Sequence, residues 1–257
     1  DHWPRDRFTR LPAPEDFVVL SCGGENCCGV RAGGELYCFG DNSFGVPGLG
    51  DTTGSRYVDL PTRVMSSEAF VDVAVGSAHA CAIRHDGALF CWGRNIDSEL
   101  GLDVRDAQVR TPTRVGTDRD WTAVAAGEHH SCGIRDGALY CWGTNEFGEL
   151  GLGTDMLDDE TRVAKPARIG SDDDWSHVAT GWFHTCALKQ DGRLFCFGRG
   201  VEGQLGMATE RALRPVSVAP DQRFRALALG RFHTCVVDVE QRVSCFGANT
   251  EGQLGVG

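Results

Sequence analysis

Short apolar runs that begin with an aromatic residue recur five times along the chain and predict β-strands. They begin at Phe17, Phe70, Trp121, Trp175 and Phe224. Two further apolar segments follow each run, separated by a Gly-containing turn, and this pattern is typical of a β-hairpin. In the third copy the turn residues are Asp136 and Gly137, which favour a two-residue hairpin because both central positions need a positive φ. Each copy therefore predicts three antiparallel strands.

A fourth apolar segment follows a Gly-rich loop in each of the first four copies. These segments begin with proline, at Pro61, Pro112, Pro166 and Pro215. Proline cannot donate a hydrogen bond to a sheet, and it is tolerated mainly at strand starts and sheet edges. We therefore expect each segment to be the outermost strand of a four-stranded unit, with proline at its start.

The framework sequence Gly-x-x-His-x-Cys sets the period of the repeat. It occurs at 76–81, 127–132, 181–186 and 230–235, and a degenerate copy at 23–28 has Asn26 in place of His. The anchoring cysteines are spaced 53, 51, 54 and 49 residues apart. Four-stranded units repeated at this spacing predict an all-β fold, a β-propeller of five four-stranded blades.

The segment Thr9-Arg10-Leu11 matches Thr62-Arg63-Val64, and each lies at the same distance before an aromatic-led run. We therefore expect the N-terminus to supply the outer strand of the last blade, which would close the ring without a free sheet edge. A fragment of a longer array is the alternative. The propeller is predicted as a single domain over 1–257, with repeat units at about 9–60, 61–111, 112–165, 166–214 and 215–257.

Ten of the twelve cysteines fall into five equivalent pairs, one in each predicted hairpin. The pairs are Cys28–Cys38, Cys81–Cys91, Cys132–Cys141, Cys186–Cys196 and Cys235–Cys245. Counting outward from each turn places the two partners opposite each other, at a Cα separation of about 4.5 Å that a disulfide can bridge. The remaining Cys22 and Cys27 flank a turn and are predicted to form a sixth bridge. Buried thiols and zinc are the alternatives, although these spacings differ from those of zinc knuckles.

The full pattern His-x-Cys…Gly-x-Leu-x-Cys-(Trp/Phe)-Gly-x-Asn-x-x-Gly-(Gln/Glu)-Leu-Gly resembles the regulator-of-chromosome-condensation repeat. The best copies are at 76–101 and 127–151, and the resemblance covers the chain from about residue 9. It implies a propeller that binds a partner; the family includes nuclear exchange factors, a plant ultraviolet-B photoreceptor and a secreted bacterial β-lactamase inhibitor. The cysteines favour a secreted bacterial-type, disulfide-rich member. Propellers of this family usually have seven blades, whereas this chain has five copies.

The charge balance argues against a nucleic-acid partner. The chain has 36 acidic and 25 basic residues, a formal net charge of −11, whereas nucleic-acid-binding proteins normally present a basic surface. No apolar run approaches the roughly 20 residues that span a bilayer, so membrane insertion is not expected. Paired cysteines persist in oxidising compartments, which predicts an extracellular, cell-surface or periplasmic location.

The recurrent histidines are the first candidates for catalytic chemistry. They are His79, His130, His184 and His233. Equivalent positions in a ring do not converge, whereas a catalytic site brings different residues together, so we interpret them as structural residues that bind turn backbone. The sequence contains no nucleophile elbow, phosphate-binding loop or zinc-protease motif. We therefore predict no catalytic residue, no metal ligand and no cofactor.

Two further groups are interpreted as structural. The aromatic residue after the second cysteine of each pair is expected in the core between blades: Phe39, Trp92, Trp142, Phe197 and Phe246. The acidic stretches at 155–160 and 172–174 lack the spacing of a calcium loop and are expected to be solvated.

The two positions between the framework Gly and His vary from copy to copy and are the candidates for binding. In the last three repeats they are Glu128, His129, Trp182, Phe183, Arg231 and Phe232. All should lie on turns at one face of the ring, where aromatic and arginine side chains are typical of protein-binding hot spots. Plugging of the central channel by these aromatics is the alternative. We therefore predict a non-enzymatic protein-binding module, with a carbohydrate-binding propeller or a structural subunit of an extracellular assembly as alternatives.

Overall fold

A computed structural model describes residues 11, 15–154 and 162–256 and shows a five-bladed β-propeller. Four sheets have four strands, and the fifth has three strands within these ranges. A short 3-10 helix at Gly50–Thr53 is the one helix in the described ranges. None of the described segments forms a helix with the length and apolarity needed to cross a bilayer.

Each blade is an antiparallel sheet whose strands follow one another in chain order from the axis outward. The innermost strands are β1 (Phe17–Gly23), β5 (Phe70–Val75), β9 (Trp121–Ala126), β13 (Trp175–Thr180) and β17 (Phe224–Leu229). The second strands are β2 (Asn26–Arg31), β6 (His79–Arg84), β10 (His130–Arg135), β14 (His184–Lys189) and β18 (His233–Asp238). The third strands are β3 (Leu36–Asp41), β7 (Leu89–Arg94), β11 (Ala138–Thr144), β15 (Leu194–Arg199) and β19 (Val243–Gly247). The outermost strands are β4 (Tyr57–Val64), β8 (Gln108–Arg114), β12 (Arg162–Arg168) and β16 (Arg211–Val218).

The hairpin register agrees with the count made from the turns. Asp136 and Gly137 have φ of 47° and 72°, as the predicted two-residue turn requires. Cys132 lies directly opposite Cys141, and the other predicted pairs face each other in the same way. All six predicted disulfides are present, including Cys22–Cys27. A disulfide therefore cross-links the second and third strands of each blade.

The outer strands begin earlier than predicted. Each outer strand begins about four residues before its proline, so the proline lies inside the strand, as Pro61 does in β4. In β4 the register shifts so that Thr62 pairs with Cys38 while Val58 pairs with Gly40, and Pro61 lies within this irregularity. A bulge at a sheet edge accommodates proline, since the missing N–H breaks no regular ladder there. The prediction of a proline at the strand start was wrong, whereas the outermost position is confirmed.

The framework glycines allow neighbouring blades to approach closely at the axis. A Cβ at Gly76 would lie 2.4 Å from the carbonyl oxygen of Gly127, and one at Gly127 would lie 2.5 Å from that of Gly181. The innermost strands pack in chain order, β1 against β5, β5 against β9, β9 against β13 and β13 against β17. Glycine is therefore required wherever one inner strand ends beside the next.

Three of the four recurrent histidines join successive blades. Nε2 of His79, His130 and His184 lies 2.8, 2.9 and 3.0 Å from a Ser or Thr hydroxyl of the next blade. The hydroxyl partners are Ser131, Thr185 and Thr234, and each donates its proton to a backbone carbonyl. Nε2–H of each histidine must therefore be the donor. These three histidines bind the neighbouring blade and not their own turn.

The predicted inter-blade aromatics are fully buried in the middle of the propeller. Trp92, Trp142 and Phe197 each have no exposed surface, whereas Phe39 and Phe246 in the end blades are half-buried. The indole nitrogen of Trp142 donates to the carbonyl of Glu99 in the preceding blade at 2.7 Å. These rings therefore fill the core between sheets.

The first and last blades retain exposed apolar positions. Leu20 in β1 is 69% exposed, whereas the equivalent Val73 is 4% exposed. Val243 in β19 is 69% exposed, whereas the equivalent Leu194 is 1% exposed. The N-terminal strand predicted to complete the last blade would be formed mainly by residues outside the described ranges.

A buried carboxyl group in the Gly-rich loop of the third blade has no cationic partner among the described residues. Glu149 accepts a hydrogen bond from the backbone N–H of Phe147 at 2.7 Å, and burial raises its pKa to about 8. Gln204, at the same position in the fourth blade, makes the equivalent bond to the N–H of Glu202 with no charge. Glu149 is therefore held protonated at neutral pH.

Replacement of Glu149 by Gln is expected to remove a loss of stability at alkaline pH. A carboxyl whose pKa is higher in the folded state stabilises below its unfolded pKa, and this stabilisation is lost as the pH rises through the folded value. Between pH 6 and pH 8 the wild type should lose about 2 kcal/mol relative to Glu149→Gln, measured by urea unfolding at both pH values. Glu210→Gln, which removes an exposed carboxyl that does not contribute to the pKa of Glu149, is the control. Parallel pH dependence of Glu149→Gln and wild type would refute the assignment.

Candidate protein-binding surface

The turns between the first and second strands of all five blades surround a central cavity of about 240 Å³. The framework glycines line it together with Ser77, Glu128, Trp182 and Arg231. The variable positions therefore lie at one face of the propeller, where the sequence predicts them.

Aromatic side chains of the fourth and fifth blades form a continuous contact beside this cavity. The ring of Trp182 meets that of Phe232 edge-on, with centroids 5.5 Å apart. Phe183 stacks on Phe232 at 6.3 Å with an interplanar angle of 21°. All three rings are half-buried. The hairpin turns bring them together because Trp182 and Phe183 directly precede β14, and Phe232 directly precedes β18.

The contact continues into the third blade. His129 stacks on Phe183 with centroids 6.0 Å apart, and Phe147 meets Phe183 edge-on at 5.2 Å. We call His129, Phe147, Trp182, Phe183 and Phe232 the aromatic array. It spans three blades on rigid turns, so its shape is fixed before any partner arrives.

Two arginines lie over the array. The guanidinium carbon of Arg231 is 3.2 Å from the ring centroid of Trp182 and 5.1 Å from that of Phe232. Arg199 lies 5.3 Å from the Phe232 centroid and 5.8 Å from the Phe147 centroid, and it also binds Glu202 at 2.6 Å. Cation–π attraction draws each guanidinium to the ring faces, so the arginines and the rings restrain one another.

A third arginine lies at the other end of the array, in an ion-pair cluster. Asp97, Glu99 and His129 lie close enough to suggest a metal site, since their ligand atoms are within 4.8 Å of one another. Arg94 is hydrogen-bonded to all three: 2.7 Å to Asp97, 2.5 Å to Glu99 and 2.9 Å to Nδ1 of His129. Burial raises the pKa of Glu99. Because the guanidinium takes the place that a cation would fill, we interpret this group as a support for His129.

Five of the six predicted binding residues join the array or lie on it. Glu128 lies beside it, with a carboxylate oxygen 3.8 Å from Nε2 of His129. The alternative that these aromatic side chains fill the central channel holds only for Trp182, which lines the central cavity. Phe183 and Phe232 do not line it. In the first two blades the same face has a separate cavity of about 440 Å³, lined by Phe44 and Val46 together with small and polar residues. That these residues bind a partner remains a prediction.

Three residues of this surface were not predicted from the sequence: Phe147, Arg199 and Arg94. Phe147 lies in the Gly-rich loop after β11, at a position that is Asp97 in the second blade and Glu202 in the fourth. The sequence did contain an indication of Phe147, because this loop position varies between repeats just as the turn positions do. The two arginines end third strands that lead into these loops.

Of the two acidic stretches expected to be solvated, the one at 172–174 is described, and its Asp172 and Asp173 are exposed as expected. Residues 155–160 lie outside the described ranges. Asp172 and Asp174 both bind the ammonium group of Lys189 at 2.7 Å, so this segment is anchored to the sheet by ion pairs.

The sequence matches the RCC1-like domain family over residues 2–257. The chain belongs to this family. It is 33% identical to the ultraviolet-B receptor UVR8 of Arabidopsis thaliana over 212 residues, which cover 79% of the chain and 47% of the receptor. It is 30% identical over 195 residues to the human probable E3 ubiquitin-protein ligase HERC3, covering 75% of the chain and 18% of the ligase. The chain therefore spans less than half of either relative.

Solved structures show the same fold. Prp20p from Saccharomyces cerevisiae has a TM-score of 0.81 and 24% identity, with 94% of this chain and 60% of that one covered. Human WBSCR16 has a TM-score of 0.80 and 21% identity, with 94% and 64% covered. These two structures support the propeller fold.

Proposed function

We propose that this RCC1-like domain is a non-enzymatic, extracellular protein-binding module whose contact surface is the aromatic array. The observation that carries the proposal is the array itself: half-buried rings from three blades, packed edge to face and overlaid by arginines on a disulfide-stapled scaffold. Trp, Tyr and Arg side chains at the centre of a rigid patch supply most of the binding energy in protein interfaces.

Two further observations support the proposal. The structure of Prp20p was described with its binding to Gsp1p and histones, so a propeller of this fold binds proteins. All twelve cysteines of the chain form disulfides, which persist in secreted and periplasmic proteins and favour a secreted, disulfide-rich member of the family.

The distribution of the array favours a protein over a carbohydrate ligand. A repeated sugar site would need an equivalent aromatic pair in each blade, but the array is confined to the last three. In one groove between blades, the guanidinium of Arg135 lies over the rings of Trp121 and Tyr140, where a sugar would have to stack.

Truncation of Phe232 to Ala is expected to weaken partner binding about 30-fold, the effect of losing roughly 2 kcal/mol at a hot spot. The partner would be identified by cross-linking in the host's secreted fraction and its affinity then measured with purified protein. Phe17→Ala is the matched control, because Phe17 is an exposed phenylalanine in the first blade, away from the array. Equal affinity of Phe232→Ala and wild type, or an equal loss in the control, would contradict the proposed surface.

A further inference from the structure

The three arginines around the array differ in how their charge is balanced. Arg94 is paired with Asp97 and Glu99, and Arg199 is paired with Glu202. Arg231 contacts no carboxylate among the described residues. An uncompensated guanidinium in a protein with a net charge of −11 is a conspicuous local positive charge.

The position of Arg231 prepares it to bind an anion. Its guanidinium lies against the indole face of Trp182, which restricts the side chain while it stays exposed to solvent. Stacking uses the flat face of a guanidinium and leaves its edge, with the N–H donors, free for a planar acceptor such as a carboxylate. Arg231 therefore has a fixed place and unused donors.

The surroundings of Arg231 favour a carboxylate that lies next to apolar residues of a partner. Arg231 lies at the rim of the central cavity, and Phe232 beside it offers a half-buried ring. The charge changes sign across this cavity, because Glu128 of the third blade also lines it. A partner's carboxylate would therefore be attracted to the fifth blade and repelled by the third.

We propose that Arg231 is a recognition site for an Asp or Glu side chain of a protein partner, held beside an apolar residue that packs on Phe183 and Phe232. The inference rests on the proposed function and adds the chemistry of the partner. The carboxylate accepts two hydrogen bonds from the guanidinium edge, and the aromatic array sets the register of the partner's loop.

Selection from a phage-displayed library of random 12-residue peptides tests this proposal with a defined probe. On the wild-type domain the enriched peptides should contain Asp or Glu next to aromatic or aliphatic residues. On Arg231→Gln the acidic preference should disappear while the apolar preference remains. On Arg225→Gln, which removes another exposed arginine of the fifth blade, both preferences should persist.

The outcomes separate the two proposals. Enrichment of apolar peptides that depends on Phe232 but shows no acidic preference, or the same acidic preference on Arg231→Gln, overturns the carboxylate site and leaves the binding surface intact. Failure to enrich any peptide on the wild type, or enrichment that survives Phe232→Ala, counts against the surface, and the carboxylate site falls with it.

A double-mutant cycle measures the contact directly. With one enriched peptide, Arg231→Gln and the peptide's Glu→Gln change should each weaken binding about tenfold, and the combination should weaken it little further, since both remove the same bond. Arg231→Lys should recover only part of the loss, because an ammonium group cannot form the two parallel bonds. Full additivity of the two changes would overturn the proposal.

Discussion

Mild reduction of the native protein is expected to open its disulfides in two groups. Four of the five hairpin bridges are formed by cysteines with no exposed surface, as Cys81 and Cys91 are. The bridge between Cys235 and Cys245 in the last blade is half-buried, and Cys22 of the sixth bridge is exposed. Thiol exchange requires access to sulfur, so these two bridges should be reduced first.

The measurement is alkylation followed by intact mass spectrometry and peptide mapping, with increasing reductant and with or without urea. Four cysteines should become alkylated under native conditions, and the other eight only when urea opens the blades. Alkylation of all twelve cysteines without reductant would contradict the pairing, and the proposed extracellular location would lose its main support.

Complete reduction is expected to unfold the propeller. Each hairpin bridge closes a loop of about ten residues and contributes roughly 2–3 kcal/mol by restricting the unfolded chain. Loss of the four buried bridges therefore removes about 10 kcal/mol, which is comparable to the whole stability of a typical domain. Loss of the cooperative unfolding transition after reduction in urea would show this, and a transition unchanged from the oxidised protein would refute it.

The elements that could be predicted from the sequence are those determined within a single repeat. The pairing of Cys132 with Cys141 depends only on the turn at Asp136 and Gly137, so counting along one hairpin was sufficient. The start of β4 was predicted too late because proline was interpreted as the beginning of a ladder. In the structure it marks a bulge, and the strand continues on both sides of Pro61.

Contacts between blades were harder to predict, because they join residues about fifty positions apart. The bond from His130 to Thr185 depends on how far the next blade is rotated about the axis, and no local pattern encodes that rotation. The same limit applies to the array. Trp182 and Phe232 could be predicted because they occupy the variable turn positions of the repeat. Phe147 could not, because it lies in the Gly-rich loop, and the sequence does not show that this loop reaches the same face.

A fall in pH from 7 to 5 is expected to destabilise the protein by about 3–4 kcal/mol, because its inter-blade histidines must remain neutral. Burial lowers the pKa of His79, His130 and His184 to about 3. In the unfolded chain they take up protons near pH 6.5, so stability falls as the pH drops below that value. Three such residues cost about 6 kcal/mol at pH 5, and Glu149, which titrates with the opposite sign, offsets roughly 2 kcal/mol of this.

Urea unfolding at pH 5, 6, 7 and 8 should therefore show a stability maximum near pH 7. His130→Asn introduces the residue that the first repeat has at the equivalent position, Asn26. This variant should be less stable than the wild type at every pH. Between pH 7 and pH 5 its histidine-linked loss of unfolding free energy should be about a third smaller than that of the wild type. His85→Gln is the control, because His85 is exposed and takes no part in the contacts between blades. An unfolding free energy that is the same at pH 5 and pH 7, or an equal pH dependence in His130→Asn and wild type, would show that the histidines do not connect the blades in the neutral form. The junction of each blade with the next would then have to be stabilised by its buried aromatic ring and by the close approach of the framework glycines.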